Sequence, residues 1–196
     1  MTKLEETASD NILKIDPDML IYPEIFVFTN LQNVYKIQNQ GFNNLTQVMA
    51  EAGFEEGEKP IYLSGTKNYS GYLITAFQNG KIAKISMTSF KTEYARKKLK
   101  NAFNTESPLI FIELIKQDED LVSFSSIKKV VLFNTGLINA VGSRTSKGVQ
   151  VMKQKDGSLM TRVKRLDQVK FAEPEYYRKA EGLNVIGYYL KQGDEF

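Results

Sequence analysis

Apolar residues in this chain gather in short runs rather than at helical spacing, and most runs close on Asn, Gly or an acidic cluster. Residues 25–29, 34–37, 72–77, 82–87, 109–115, 121–124, 130–133, 149–152, 159–163 and 185–190 are rich in Val, Ile, Phe, Tyr and Leu. Such runs are the signature of strands bounded by turns. Two stretches read as short helices. Thr46 to Gly53 carries Val48, Met49 and Ala52 before a glycine stop, and Thr92 to Phe103 spaces Ala95, Leu99 and Ala102 for one face. One further helical turn is expected at Pro174 to Lys179. The pattern predicts an all-β chain in which helix is a minor ingredient.

The strands repeat. Phe26-Val27-Phe28-Thr29-Asn30 followed by Val34-Tyr35-Lys36-Ile37 is answered by Leu73-Ile74-Thr75-Ala76-Phe77 followed by Ile82-Ala83-Lys84-Ile85, and more loosely by Val130 to Ile138. An acidic turn and another strand follow each copy: Glu55-Glu56-Gly57-Glu58 before Ile61, Asp118-Glu119-Asp120 before Leu121, and Asp156-Gly157 before Leu159. Several strands per unit at this period describe propeller blades, each too small to bury both of its faces unless it stacks on a neighbour. The expected units are residues 20–67, 71–126 and 128–168, with a C-terminal tail at 171–196.

Composition narrows the chemistry. The 196 residues are 42% apolar and 25% charged, ordinary for a globular domain, and contain neither Cys nor His. A thiolate nucleophile, a Ser-His-Asp relay and a Cys/His zinc site are therefore excluded. The N-terminal residues lack the apolar core of a signal peptide and no run is long enough to span a bilayer, so the expectation is a soluble cytoplasmic protein without a membrane partner.

The net charge of +3 conceals its distribution. Residues 1–60 hold four Lys against ten acids, residues 61–170 hold nineteen Lys and Arg against eight, and residues 171–196 hold three against five. Between residues 81 and 100 seven cations meet one acid, Glu93. Long cationic side chains in such density are what a phosphate backbone requires. The acids in the turns read as solvated turn residues rather than as a catalytic pair or a magnesium site, and Tyr176-Tyr177-Arg178 reads as docking surface rather than as a nucleophile.

Several of these segments resemble one family. Phe26 to Ile37, Asn79-Gly80-Lys81-Ile82-Ala83-Lys84, Arg96-Lys97-Lys98-Leu99-Lys100-Asn101-Ala102 through Ser107-Pro108-Leu109, and Arg144-Thr145-Ser146-Lys147-Gly148-Val149 are similar to the C-terminal β-pinwheel domain found in the A subunits of bacterial DNA gyrase and topoisomerase IV. The resemblance runs from about residue 20 to about residue 170, and its most specific part is the Arg-Thr-x-x-Gly-Val pattern at residues 144–149. The glycine-rich basic box of true gyrases has no counterpart; Gln38 to Asn44 and Arg96 to Lys100 stand in its place.

The resemblance implies a fold of propeller-like blades with a basic rim that bends or wraps duplex DNA, with about three of the family's five or six blades visible. It implies a non-catalytic accessory role within a type IIA DNA topoisomerase. The other parts of the A and B subunits supply the cleavage tyrosine and use ATP and magnesium, leaving no cofactor in this chain, and the setting is bacterial and nucleoid-associated. The expected DNA contacts are Lys84, Lys91, Arg96, Lys97, Lys98, Lys100, Arg144, Lys147, Arg162 and Lys164. The competing expectation is a β-propeller interaction module whose basic patch meets an acidic protein.

Overall fold

The computed structural model describes residues 14–94, 96–155 and 157–195. Residues 1–13, on which the reading of the N-terminus rests, lie outside them, as do Ala95, Asp156 and Phe196. Fourteen strands and one α-helix occur among the described residues. The strands are β1 (Lys14–Ile15), β2 (Glu24–Thr29), β3 (Val34–Gln38), β4 (Pro60–Thr66), β5 (Tyr72–Phe77), β6 (Lys81–Ser86), β7 (Lys98–Leu99), β8 (Leu109–Ile115), β9 (Asp120–Ser125), β10 (Lys129–Asn134), β11 (Val149–Gln150), β12 (Met160–Arg165), β13 (Arg178–Lys179) and β14 (Tyr188–Tyr189). The helix α1 spans Leu45–Ala52.

Three sheets form, ordered β1-β4-β2-β3-β7, β11-β6-β5-β8 and β12-β9-β10-β13, with β14 also on β10. Each is built on an antiparallel hairpin, β2–β3, β5–β6 or β9–β10. A third strand, β4, β8 or β12, joins the first strand of its hairpin, and β8 contacts both β4 and β12, so these strands form the inner side of the array. The second strand of each hairpin takes an antiparallel partner from farther along the chain. Val34 faces Leu99, Ile82 faces Val149 and Val130 faces Tyr188. The outer strands of the first two blades are thus donated by the excursion that follows the next blade's hairpin, which sews the blades together.

The continuous apolar runs follow from burial on both faces. On β2, Phe26 and Phe28 pack toward the second sheet with Leu73, Ile85 and Phe90, while Ile25 and Val27 face the other way. On β5, Ile74 and Ala76 pack with Leu121, Val131 and Phe133 of the third sheet. Burying a side chain of this size is worth about 1.5–3 kcal/mol, so stacking is what makes such small sheets stable. The two end faces are covered by the chain itself. Val48 and Ala52 of α1, with Met19, close the first sheet; Phe171, Tyr177 and Leu190 close the third against Val122, Phe124 and Leu132. The helix starts where Asn44 accepts the Gln47 N–H at 3.1 Å and stops at Gly53 in the left-handed conformation.

Three expectations are corrected. Thr92 to Phe103 is not helical: Lys98–Leu99 is the donated strand β7, and the apolar spacing arises because Leu99, Ala102 and Phe103 plug the seam between the first two sheets. Leu121–Phe124 belongs to the third sheet rather than to the second unit, since β9 pairs with β10; the sheets therefore draw on residues 24–66, 72–115 and 120–165, plus donated strands. Tyr177 is not docking surface. It is fully buried, its hydroxyl donates to Asp194 at 2.6 Å and accepts the Lys191 N–H at 2.7 Å, and burial together with Asp194 pushes its phenol up to about 12.

Candidate nucleic-acid interface

The excursions between the second and third strands of each blade carry most of the expected contacts. The first, residues 39–59, holds α1 and is acidic, with Glu51, Glu55, Glu56 and Glu58 against Lys59. The second, residues 87–108, holds β7 and five cations against Glu93 and Glu106; the third, residues 135–159, holds β11 with Arg144, Lys147, Lys153 and Lys155 against Asp156. They run side by side. The Lys36 N–H donates to Lys97 O at 2.7 Å, Asn104 Nδ2 donates to Thr145 O at 2.9 Å, and the Arg144 guanidinium donates to Ser89 O at 3.0 Å.

Within this rim the expected residues divide into two kinds. Lys91, Arg96 and Lys100 are exposed and have no side-chain partner among the described residues. Lys97 and Lys147 are also exposed, but each pairs with a carboxylate, Glu51 at 3.1 Å and Glu106 at 2.9 Å. Lys147 holds the Glu106 carboxyl below its ordinary range. Exposed pairs of this sort are worth about 0–1 kcal/mol, so a phosphate can displace them at small cost.

Lys98 and Arg144 are fixtures. Lys98 Nζ lies 2.6 Å from Glu55, 3.8 Å from Glu58 and 5.2 Å from the centre of the Tyr35 ring. Burial would lower its pKa, but Glu55, Tyr35 and Glu58 together raise it. The Arg144 guanidinium directs donors to backbone carbonyls of the second excursion and lies 5.9 Å from the Phe90 ring centre. The most specific part of the sequence pattern is therefore a staple between excursions.

Three further residues fall elsewhere. Lys84 is buried, contrary to a rim position: its Nζ bonds Asp118 at 2.5 Å and lies 4.5 Å from the Tyr72 ring centre. Lys36, at the equivalent place in the first blade, is buried beside Glu24 and Thr92 in the same manner. A lysine in this setting is held by its carboxylate and the aromatic face rather than by solvent. Arg162 and Lys164 lie on β12, at the inner edge of the third sheet, on either side of buried Val163.

The acidic turns also depart from expectation. Glu56 is exposed, but Glu58 is buried and accepts four hydrogen bonds: from Thr29 Oγ1 at 2.6 Å, Asn33 Nδ2 at 2.7 Å, Tyr35 OH at 2.5 Å and the Glu55 N–H at 3.1 Å. Burial alone would raise its pKa; the four donors outweigh it and hold the carboxyl at about 2. Asp118 is held low by Lys84, and Asp120 by Arg178, whose guanidinium lies 2.9 Å away. These acids anchor the blades. No local signal separates Glu58 from Glu55 or Glu56, because three of its donors come from the β2–β3 hairpin more than 20 residues upstream.

The array of stacked blades as a whole has counterparts among solved structures. The C-terminal domain of DNA topoisomerase IV matches with a TM-score of 0.64 at 15% identity, over 88% of this chain and 61% of that one. The fold is a β-pinwheel. The DNA gyrase A C-terminal domain matches this pinwheel with a TM-score of 0.56 at 17% identity, over 84% and 59%, and the E. coli ParC C-terminal domain with 0.62 at 9%, over 87% and 78%. This chain thus spans about three fifths of the length of the first two domains. No family model matches the sequence, and no curated protein does.

Proposed function

We propose that this pinwheel is a non-catalytic accessory domain of a type IIA topoisomerase A subunit that binds and bends duplex DNA along its outer rim, with the rest of that enzyme as its partner. The observation that carries the reading is the adjacency of the second and third excursions, which hold Lys91, Arg96, Lys97, Lys100 and Lys147 and are hydrogen-bonded to each other, in a fold shared with the C-terminal domains of DNA gyrase A and topoisomerase IV. These cations meet phosphate, so recognition is insensitive to sequence. Spreading cations over successive blades rewards a curved path, and the added phosphate interactions offset the cost of bending. The first excursion is acidic where the other two are basic, and its exposed Glu56, unlike Glu51 and Glu55, pairs with no lysine among the described residues, so it disfavours a duplex there.

Ring closure of a duplex of about 150 base pairs, one persistence length, reads bending directly. Ligase-dependent circle yield is expected to rise with wild-type protein and to fall back with Arg96→Ala/Lys97→Ala/Lys100→Ala. Equal yields for the two proteins would reject the rim as the bending surface. Lys98 is left intact in this variant because it neutralises Glu58. Retained binding of an acidic protein by the variant, with no DNA response from either form, would favour the interaction-module reading.

A further inference from the structure

A cavity that shares no residue with the proposed DNA contacts lies at the outer edge of the third blade. Its volume is about 410 Å³ and it opens between the segment that follows β11 and the C-terminal tail, within the range of about 300–1,000 Å³ typical of small-ligand pockets. Val131 and Ile186 give it apolar lining, and the buried Tyr177 contributes to it. Lys153 and Lys179 also line it, and neither has an ion-pair or hydrogen-bond partner for its ammonium among the described residues. Among the described residues no carboxylate lines the cavity. That separates these lysines from Lys84, Lys97, Lys98 and Lys147, each of which faces an acid.

Two features give the cavity a shape preference. Asn184 sits in the left-handed region at φ 68°, fixed by its N–H to Val151 O at 3.0 Å, and its carboxamide has no partner among the described residues. Tyr188 stands at the lip, 46% exposed, with its ring centre 5.0 Å from that of Tyr176, and Tyr189 follows it at 63% exposed. At the equivalent places the other donated strands carry Leu99 and Val149. An ammonium pair neutralises a phosphate, a carboxamide offers a donor and an acceptor to the edge of a heterocycle, and a tyrosine face stacks on a planar ring.

We propose that this cavity binds a nucleoside phosphate, with the base against Tyr188, its edge at Asn184 and the phosphate between Lys153 and Lys179. The ligand is either a free nucleotide or one unit of an unpaired strand, a chemistry that duplex held on the rim does not present. The site shares no residue with the rim, so the two readings stand or fall separately.

The test titrates the whole chain with thymidine monophosphate, a fluorescein-labelled thymidylate decamer and inorganic phosphate, by calorimetry and by anisotropy. Tyr188→Ala is expected to weaken nucleotide binding at least about fivefold, the loss of one stacked base, and Tyr188→Trp to restore it. Lys153→Gln/Lys179→Gln is expected to weaken binding about tenfold and to flatten its salt dependence, while Arg96→Ala/Lys97→Ala/Lys100→Ala leaves monophosphate affinity unchanged. Binding of the monophosphate assigns a free nucleotide; binding of the decamer alone, with the same response to Tyr188, assigns an unpaired strand. Three results would overturn the proposal: inorganic phosphate binding as tightly as the nucleotide with Tyr188→Ala silent, displacement of the decamer by polyglutamate through the same residues, or no binding of any probe to a protein whose melting curve is intact.

Discussion

Glutamine in place of Glu58 is expected to destabilise the fold by about 3 kcal/mol at pH 7, and to remove this carboxyl's own share of the protein's sensitivity to acid. The buried carboxylate satisfies two hydroxyls, a carboxamide and a backbone N–H, and balances Lys98. A glutamine amide turns one acceptor into a donor facing donors, and stranded buried partners cost about 1–3 kcal/mol each. Proton linkage leads to the same size. A carboxyl whose pKa falls from 4.5 in the unfolded chain to about 2 in the fold contributes about 3 kcal/mol, at about 1.4 kcal/mol for each pKa unit. Because the folded pKa is the lower one, this contribution is complete above the unfolded value of 4.5 and is lost as pH falls toward 2. Urea denaturation of wild type and Glu58→Gln at a series of pH values checks it. The two curves should stand apart at pH 7 and converge in acid; curves that coincide at pH 7 would show that the hub carries no stability.

The second large effect is expected at Gly148, which delivers the donated strand β11 to β6. Its φ is +74°, and a Cβ there would lie 2.4 Å from both the carbonyl carbon and the oxygen of Ile82, backbone atoms that cannot step aside without parting the strands. Gly157 has nearly the same φ, +75°, but open space around it. Alanine at Gly157 therefore meets only the conformational cost, about 1 kcal/mol, whereas alanine at Gly148 adds the overlap and is expected to cost about 3 kcal/mol or more. For a chain of this size that corresponds to a melting temperature lower by about 6–12 °C. Differential scanning calorimetry measures the shift, and hydrogen exchange should show lost protection at Val151 and Met152, whose N–H groups bond Gly80 O at 3.0 and 3.1 Å. Equal shifts for the two glycines would mean that strand donation does not hold the second blade.

The parts of this fold that were legible in the sequence are those set by local burial. Strands such as Glu24–Thr29 are buried on both faces, which writes an uninterrupted apolar run, and α1 carries a capping Asn44 and a terminal Gly53. The donated strands were legible only in part: the runs at 149–152 and 185–190 hold Val149–Gln150 and Tyr188–Tyr189, whereas Lys98–Leu99 lies in a stretch that reads as helix, and the pairing of all three is fixed by partners 50 or more residues away. For that reason Leu99 and Ala102 suggested a helix face when they are plugs between sheets. The rim was legible as charge but not as partnership. Lys84 and Arg96 look alike as basic residues in the sequence; only the fold buries one against Asp118 and leaves the other exposed.

Rim cations that hold duplex phosphates must give binding a steep salt dependence, and that dependence is the most direct test of their role. Each neutralised phosphate contributes a slope of about −0.9 to log K against log salt concentration for duplex DNA. Binding of a linear duplex of about 150 base pairs, followed by gel shift across a salt series, should fall steeply for the wild type, and the slope should be shallower by about 2–3 for Arg96→Ala/Lys97→Ala/Lys100→Ala. Identical slopes for the two proteins, or no shift at low salt with correctly folded protein, would contradict the account.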